Sequence, residues 1–363
     1  MNKKKVLFFT SSGVGGAERV TVTIAKMLDK SRFDVSMIVT DTSDSDIAQF
    51  IPEDMKVFFL SEKHLRWSAF KKMKNVVIQE SPDYVFSSLT FVIIPLLIIC
   101  KFCCKGVKPI IRGQINPHSW TKLSGKLKWK GCFVEFINRL LYSSAYKVVA
   151  QTPTMRDGMI KYFGVKPEKC ICLYNPIDKQ TIDLKIKENS PFTEDDVAYR
   201  YVAVGRCQKQ KGFDYLIKAM KAVVDDNPHS HVYIVGTTGD GTLYKNLLQL
   251  TTKLGISDHV HFEGFQSNPY KYIYNANCFV LSSRDEGLPN VLIESTYLQK
   301  QAVAFTCIPI IEEIIQDGVN GLLVEPENVN KLAEAMIRIQ KLNLNKPSLY
   351  QPSNAVAFNE LFL

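Results

Sequence analysis

The sequence predicts an α/β protein made of two doubly wound halves, each a parallel sheet covered by helices. Three observations carry this. Short apolar runs alternate with amphipathic ones from Val6 to Ala150. The alternation breaks at Asn175–Pro176 and the polar stretch Thr181–Asp196. It resumes between Tyr201 and Thr306. Alternation of this kind makes parallel strands whose crossovers are helices. A chain of 363 residues is also long enough for two domains, each with its own core.

In the first half, Val6–Thr10 is an apolar strand leading into a glycine turn. Ala17–Leu28 follows as an amphipathic helix with Val20, Ile24 and Leu28 on one face. Val35–Thr40, Tyr84–Ser87, Pro109–Arg112 and Lys147–Ala150 read as further strands. The apolar stretch Leu89–Cys100 is shorter than the ~20 residues a spanning helix needs. It reads as a buried helix, or as a surface that dips into a bilayer beside Lys101, Lys105 and Lys108. Thr181–Asp196 carries Pro191 and several charges, which suits a linker or irregular connection.

In the second half, strands are expected at Tyr201–Val204, His231–Val235, His259–Phe262, Cys278–Leu281 and Val303–Thr306. Helices are expected at Phe213–Val224, Leu243–Leu254 and Val291–Leu298. The implied domains are 1–175 and 176–349, with a C-terminal helix in 350–363 packing back on the first. Ligands of doubly wound sheets bind outside the carboxyl ends of the strands, so a cleft between the halves is the expected site.

Composition narrows the function. The chain is 46% hydrophobic and 22% charged, as globular proteins are. Its net charge of +9 suits an anionic substrate, an anionic membrane surface or nucleic acid. The basic residues are dispersed, with clusters at Asn2–Lys5, Lys71–Lys74 and Lys122–Lys130, and show no zinc-finger spacing or RNA-binding signature. Nucleic acid is therefore not an expected partner. The nine cysteines form no disulfide framework: Cys103 and Cys104 are adjacent and Cys170 and Cys172 nearly so. They read as reduced thiols of a cytoplasmic protein, with no structural metal. No secretory signal is expected, because the apolar run Val6–Thr10 is short.

The chemistry concentrates between Phe279 and Glu294. A strand ends near Ser282, and a loop follows with Glu286, Gly287 and Leu288. Pro289 suits a helix start, where its missing N–H costs little. The amides of Asn290 and Val291 then point out of the helix end, where a diphosphate binds well. Glu294 lies about one turn further in. A nucleotide sugar presents sugar hydroxyls, phosphates and ribose hydroxyls in that order. The same spacing also reads as two solvated glutamates at a helix start. Upstream, Gly205-Arg206 ends a strand and Lys211-Gly212 opens the next helix. Their two cations suit a leaving diphosphate, or form an exposed loop pair. The loop Ser11-Ser-Gly13-Val-Gly15-Gly16-Ala-Glu18 lets backbone approach a ligand. A dinucleotide fingerprint would need glycine where Glu18 stands, which disfavours a dehydrogenase. Asp44-Ser-Asp46 has a metal-binding look but ordinary loop composition.

Together these residues resemble glycosyltransferase family 4. The resemblance rests on Glu286 to Glu294, Gly205-Arg206 with Lys211-Gly212, Gly15-Gly16-Ala17-Glu18-Arg19, Asn175-Pro176, and Asp317-Gly318-Val-Asn-Gly321-Leu-Leu-Val324. These run in family order over nearly the whole chain. The resemblance implies a GT-B fold, two Rossmann-like domains facing across a cleft. It implies transfer with retention of configuration, without metal or cofactor. Glu286 would touch the donor sugar and Glu294 the ribose. Arg206 and Lys211, with the Asn290 and Val291 amides, would hold the diphosphate. Gly15 and Gly16 would face phosphates or acceptor. Many relatives have a cleft histidine, a role for which His118 is the candidate, with Arg112 and Asn116 as rivals. His118 also reads as a surface histidine. Where relatives often have glycines, Thr306-Cys307-Ile-Pro309 stands here.

The expected activity is a hexosyl- or N-acetylhexosaminyltransferase using a nucleotide sugar, with UDP favoured and the base near Gly264-Phe265-Gln266. The expected acceptor is a lipid-linked glycan of surface polysaccharide such as O-antigen or capsule, met at the inner face of the cell membrane. A nucleotide-sugar epimerase and a non-catalytic scaffold are the rivals. An epimerase needs no lipid-facing surface, and a decayed fold would not keep Glu286, Glu294, Arg206 and Lys211 together.

Overall fold

In the computed structural model, which describes residues 3–13, 15–62, 67–113, 139–192, 198–239, 241–344 and 346–363, the strands form two all-parallel sheets. The chain divides into one unit of Met1–Ile177 with Pro352–Leu363, and a second of Asp178–Gln351.

The first sheet contains β1 (Lys4–Thr10), β2 (Phe33–Val39), β3 (Lys56–Phe59), β4 (Tyr84–Ser87), β5 (Lys108–Arg112), β6 (Lys147–Ala150) and β7 (Cys170–Cys172). Its order is β3-β2-β1-β4-β5-β6-β7. Residues Val6 to Thr10 are all buried, which is why β1 is a continuous apolar run rather than an alternating one. Val6 and Phe8 pack with Val20 and Ile24 of the helix Gly16–Met27. Leu7 and Phe9 pack on the opposite face with Met73 and Val77 of the helix Trp67–Glu80, and with Val92 and Leu96 of Thr90–Ile98. The helix Ala355–Leu361 belongs to this unit. It delivers Phe362 onto Phe8, Phe33, Tyr84 and Phe86, with ring centroids 5.7–6.1 Å apart.

The second sheet contains β8 (Tyr199–Val204), β9 (Ser230–Val235), β10 (Val260–Gly264), β11 (Cys278–Leu281), β12 (Ala302–Phe305) and β13 (Gly321–Val324). Its order, β10-β9-β8-β11-β12-β13, is that of a Rossmann sheet. Leu216, Met220 and Val223 of the helix Phe213–Asp226 share its core with Leu332 and Met336 of Val329–Ile339. In each sheet the strand order reverses beside the central strand, at β1/β4 and at β8/β11. A crevice opens at the carboxyl ends of such a strand pair.

One sequence expectation needs correction, and the expected buried helix at Leu89–Cys100 is met with an added turn. Thr181–Asp196 is not irregular throughout, since it begins inside a helix, Lys179–Lys185. The Asp178 carboxylate caps that helix, accepting from the Thr181 amide at 3.1 Å and its hydroxyl at 2.8 Å, and Ile182 is buried. The change of unit comes just before it, at Ile177–Asp178. The Leu89–Cys100 stretch becomes the helix Thr90–Ile98, continued by a π-helical turn at Ile99–Cys103. Most of it is buried, but Phe91 and Ile94 are exposed, as is Phe102 in the turn. Among the described residues no helix is long and apolar enough to cross a membrane. Cys100 and Cys103 of that turn stand in CxxC spacing. Burial pushes the Cys100 thiol up to about 12, the opposite of a redox-active pair.

Because Phe362 fills the core of the first unit, Phe362→Ala should destabilise that unit by about 3–5 kcal/mol. Denaturant unfolding should show the loss in the first unit, with the second unit's transition unmoved.

Candidate active site

In the second unit, the turn after β8 is built against the strand end of β11. Lys209–Lys211 forms one 3₁₀ turn, and Gly212, at φ +63°, opens the helix Phe213–Asp226. A Cβ on Gly212 would stand 2.0 Å from the Ser282 carbonyl oxygen, so only glycine allows this approach. Gly236, at φ +149°, meets the Gly205 carbonyl in the same way. Hydrogen bonds then lace the two loops together. The Ser282 hydroxyl donates to the Lys211 carbonyl at 3.1 Å, the Arg284 amide to the Gln210 carbonyl at 2.7 Å, and the Gln210 side chain to the Asp285 carbonyl at 2.8 Å.

Arg284 reinforces the joint. Its guanidinium forks onto both Asp214 carboxylate oxygens at 2.8 and 2.7 Å and lies 4.0 Å over the Tyr215 ring. Burial pushes the Asp214 carboxyl up, but the hydrogen bonds and charge of Arg284 outweigh it and hold the carboxyl below its ordinary value. Nothing in the residue spacing announces this pair. Asp214 reads only as the usual acid in a first helical turn.

The result is a close meeting of Lys211 and Glu286. Lys211 Nζ lies 2.7 Å from Glu286 Oε1, and the Ser283 hydroxyl donates to the same oxygen at 2.7 Å. Glu286 is only 8% exposed, so cation and hydroxyl together offset its desolvation. The Lys211 stem lies along Gly205, where an added Cβ would come within 3.1 Å of Cδ and Cε. Arg206 follows Gly205 and is exposed. Cys307, after β12, has its thiol pushed up to about 12, by burial first and then by the charges of Glu286 and Asp285. It therefore borders the acidic loop, in the stretch where the sequence departs from its relatives.

Beyond Gly287 and the buried Leu288, Pro289 precedes the helix Asn290–Tyr297. The Leu292 and Ile293 amides turn back to the Pro289 carbonyl at 3.0 and 3.2 Å. Asn290 and Val291 occupy the first turn, whose amides carry the positive end of the helix dipole. Glu294 is one turn on, and the Tyr270 hydroxyl donates to its Oε1 at 3.2 Å. Gly264 closes β10, and the Phe265 ring after it is 44% exposed.

The first unit holds the other candidates. Gly15 caps the helix Gly16–Met27, and the Glu18 carboxylate folds over it while accepting from the Ser11 hydroxyl at 2.7 Å. Arg112 ends β5 in full burial and donates to Asn175 Oδ1 and, at 3.5 Å, to the Ser88 hydroxyl. Burial pulls its guanidinium down to about 9. The Asn175 amide donates in turn to Gln151 at 3.3 Å. His118 and Asn116 lie outside the described residues. The spacing of charges indicated Arg206, Lys211, Glu286 and Glu294. It gave no sign of Ser283, Tyr270, Asp214 or Arg284, which meet the site only through the fold.

Two family models match the chain, "Glycosyltransferase Family 4" over residues 14–181 and "Glycosyl transferases group 1" over 185–352. The chain belongs to the family 4 glycosyltransferases and is an enzyme of the GT-B fold. One relative is the N-acetylgalactosamine-N,N'-diacetylbacillosaminyl-diphospho-undecaprenol 4-alpha-N-acetylgalactosaminyltransferase of Campylobacter jejuni. It is 27% identical over 92% of this chain and 89% of its own length. The amylovoran biosynthesis glycosyltransferase AmsD of Erwinia amylovora is 25% identical over 93% of this chain and 89% of its own length. Among solved structures, Anabaena HepE in complex with UDP and glucose superposes with a TM-score of 0.75. It has 19% identity and covers 99% of this chain and 98% of that one.

If Lys211 offsets the buried Glu286 charge, Lys211→Met should destabilise the second unit by roughly 2–3 kcal/mol. Adding Glu286→Gln should recover part of the loss. A double-mutant cycle should give a coupling of about 1–3 kcal/mol, and additive single effects would show that the pair contributes nothing.

Proposed function

We propose that this enzyme moves a hexose or N-acetylhexosamine from a UDP-sugar to a lipid-linked oligosaccharide, with retention of anomeric configuration, in building a surface polysaccharide such as O-antigen or capsule. The observation that carries the reading is the Lys211–Glu286 pair at the β8/β11 switch point, followed by the start of the helix Asn290–Tyr297. A carboxylate beside a cation, with a helix amino end a few residues on in the chain, supports this reading, because a nucleotide sugar presents sugar hydroxyls, phosphates and ribose hydroxyls in that order.

In this reading Glu286 accepts from the sugar hydroxyls, with Ser283 and Lys211 fixing its position. Arg206 and Lys211, with the Asn290 and Val291 amides, hold the diphosphate, while Gly205, Gly287 and Leu288 form the wall. Glu294 takes the ribose hydroxyls, and the base lies by Gly264 and Phe265. Gly15, Gly16, Arg112, Asn116, His118 and Asn175 serve the acceptor side. The bond from the anomeric carbon to the diphosphate oxygen breaks first, and its electron pair leaves with the diphosphate. Arg206 and Lys211 stabilise that charge electrostatically. The acceptor hydroxyl attacks the same face, and its proton passes to the departing phosphate oxygen.

UDP in the HepE complex supports the donor class. The diphospho-undecaprenol in the name of the C. jejuni relative supports a lipid-linked acceptor. A membrane face is supported by Phe91 and Phe102, 49% and 68% exposed, beside Lys101 and Lys105. The enzyme then works at the cytoplasmic side of an anionic membrane.

The test is a panel of nucleotide sugars supplied with a polyprenyl-diphosphate-linked oligosaccharide, read as nucleoside diphosphate release. UDP-sugars should be the productive donors. Arg206→Ala should lower turnover by about 10²-fold or more, while its stability stays within ~0.5 kcal/mol of wild type. Release from no donor, or wild-type turnover by the variant, would sink the assignment.

A further inference from the structure

At the carboxyl edge of the first sheet, apolar rows give way to a polar one. Phe9, Ser87 and Ile111 stand in register across β1, β4 and β5. The next residues along each strand are Thr10, Ser88 and Arg112, so these lie side by side. Strand alternation sends them to the face that Phe8, Phe86 and Ile110 line. Thr10 and Ser88 are fully buried and Arg112 is 1% exposed. The Thr21 hydroxyl, from the helix covering that face, donates to the Ser88 hydroxyl at 3.0 Å. The Gln151 side chain donates to the Gly113 carbonyl beside the row.

This row is short of partners in a specific way. Arg112 finds two neutral acceptors, Ser88 and Asn175, and no carboxylate among the described residues. Its Nε–H and the Thr10 hydroxyl have no hydrogen-bond partner. A buried guanidinium without a counter-charge is costly, and arginine stays protonated at neutral pH. What would complete the row is a group bearing negative charge on several oxygens, able to take the fork of N–H donors and one hydroxyl. A phosphoryl group has that geometry. In the second unit, Arg206 and the amino end of Asn290–Tyr297 already serve the donor diphosphate.

We infer that Thr10, Ser88 and Arg112 form a seat for phosphoryl oxygens of the acceptor, with Asn175 and Gln151 positioning the guanidinium. The inference rests on the proposed function for the word acceptor, and on the row alone for the anion.

The test titrates inorganic diphosphate into the full chain already saturated with UDP, followed by calorimetry. Wild type should bind. Arg112→Met should bind at least ~10-fold more weakly, with UDP affinity within about twofold of wild type. Arg112→Lys, which keeps the charge and loses the fork, should fall between. Arg112→Met should also melt no lower than wild type, because it removes a buried unpaired cation. Several outcomes would overturn the seat. These are no diphosphate binding by the UDP-loaded wild type, undiminished binding by Arg112→Met, or a melting point lowered by more than ~5 °C, which would mark a purely structural arginine. Parallel loss of UDP binding would give the row to the donor instead. Absence of sugar transfer by wild type would sink the function, whereas the diphosphate titration reads the seat without any turnover.

Discussion

Both units are organised by one constraint, that a central parallel strand must be covered on both faces. β1 and β8 meet it with crossover helices on either side. Crossovers of fixed hand then oblige the chain to run outward from the central strand in one direction and return to run outward in the other. The reversal leaves the carboxyl ends of β1/β4 and β8/β11 without a helix above them. Among the described candidates, Gly15 follows β1, Arg206 and Lys211 follow β8, and Glu286 follows β11 at such carboxyl ends. The site is thus a by-product of how the cores are covered.

In the second unit, closeness is obtained through backbone rather than through large side chains. Gly212 and Gly236 let the loops after β8, β9 and β11 touch at their carbonyls, and Arg284 ties the turn after β8 to the loop after β11. Lys211 and Glu286, 75 residues apart in the chain, consequently meet at 2.7 Å. A buried carboxylate so held has its cost met by one cation and one hydroxyl, which fixes its direction as well as its charge. The first unit does the reverse with Arg112, which is buried among neutral partners. The two units therefore differ in what they leave for a ligand to supply.

The α/β class was legible because Val6–Phe9 of β1, Tyr201–Val204 of β8 and Cys278–Leu281 of β11 are unbroken apolar runs and the helices Gly16–Met27 and Phe213–Asp226 keep their apolar positions on one face. The edge strands of the first sheet were not. β3 and β7 are four and three residues long and only partly buried, too short for a pattern. Val329–Ile339 escaped notice although Asn328 caps it and Leu332, Met336 and Ile339 line one face. Lys179–Lys185 was hidden because its stabilising contacts, the Asp178 cap and the Tyr297–Asp183 hydrogen bonds, lie outside any apolar period. In the site, charge spacing drew attention to Lys211 and Glu286 but not to their contact. Contact depends on glycine-permitted loop approach, which spacing does not encode. Arg284 and Asp214 were unreadable for the same reason.

The return of Pro352–Leu363 to the first unit has a consequence for the order of events during synthesis. The segment follows the whole of Asp178–Gln351 in the chain, yet Phe362 fills a core whose other members begin at Val6. A growing chain can finish the second unit while the first still lacks part of its interior. The half of the molecule made first is therefore the last to be sealed, and until then it exposes a slot lined by Phe8, Phe33, Tyr84 and Phe86.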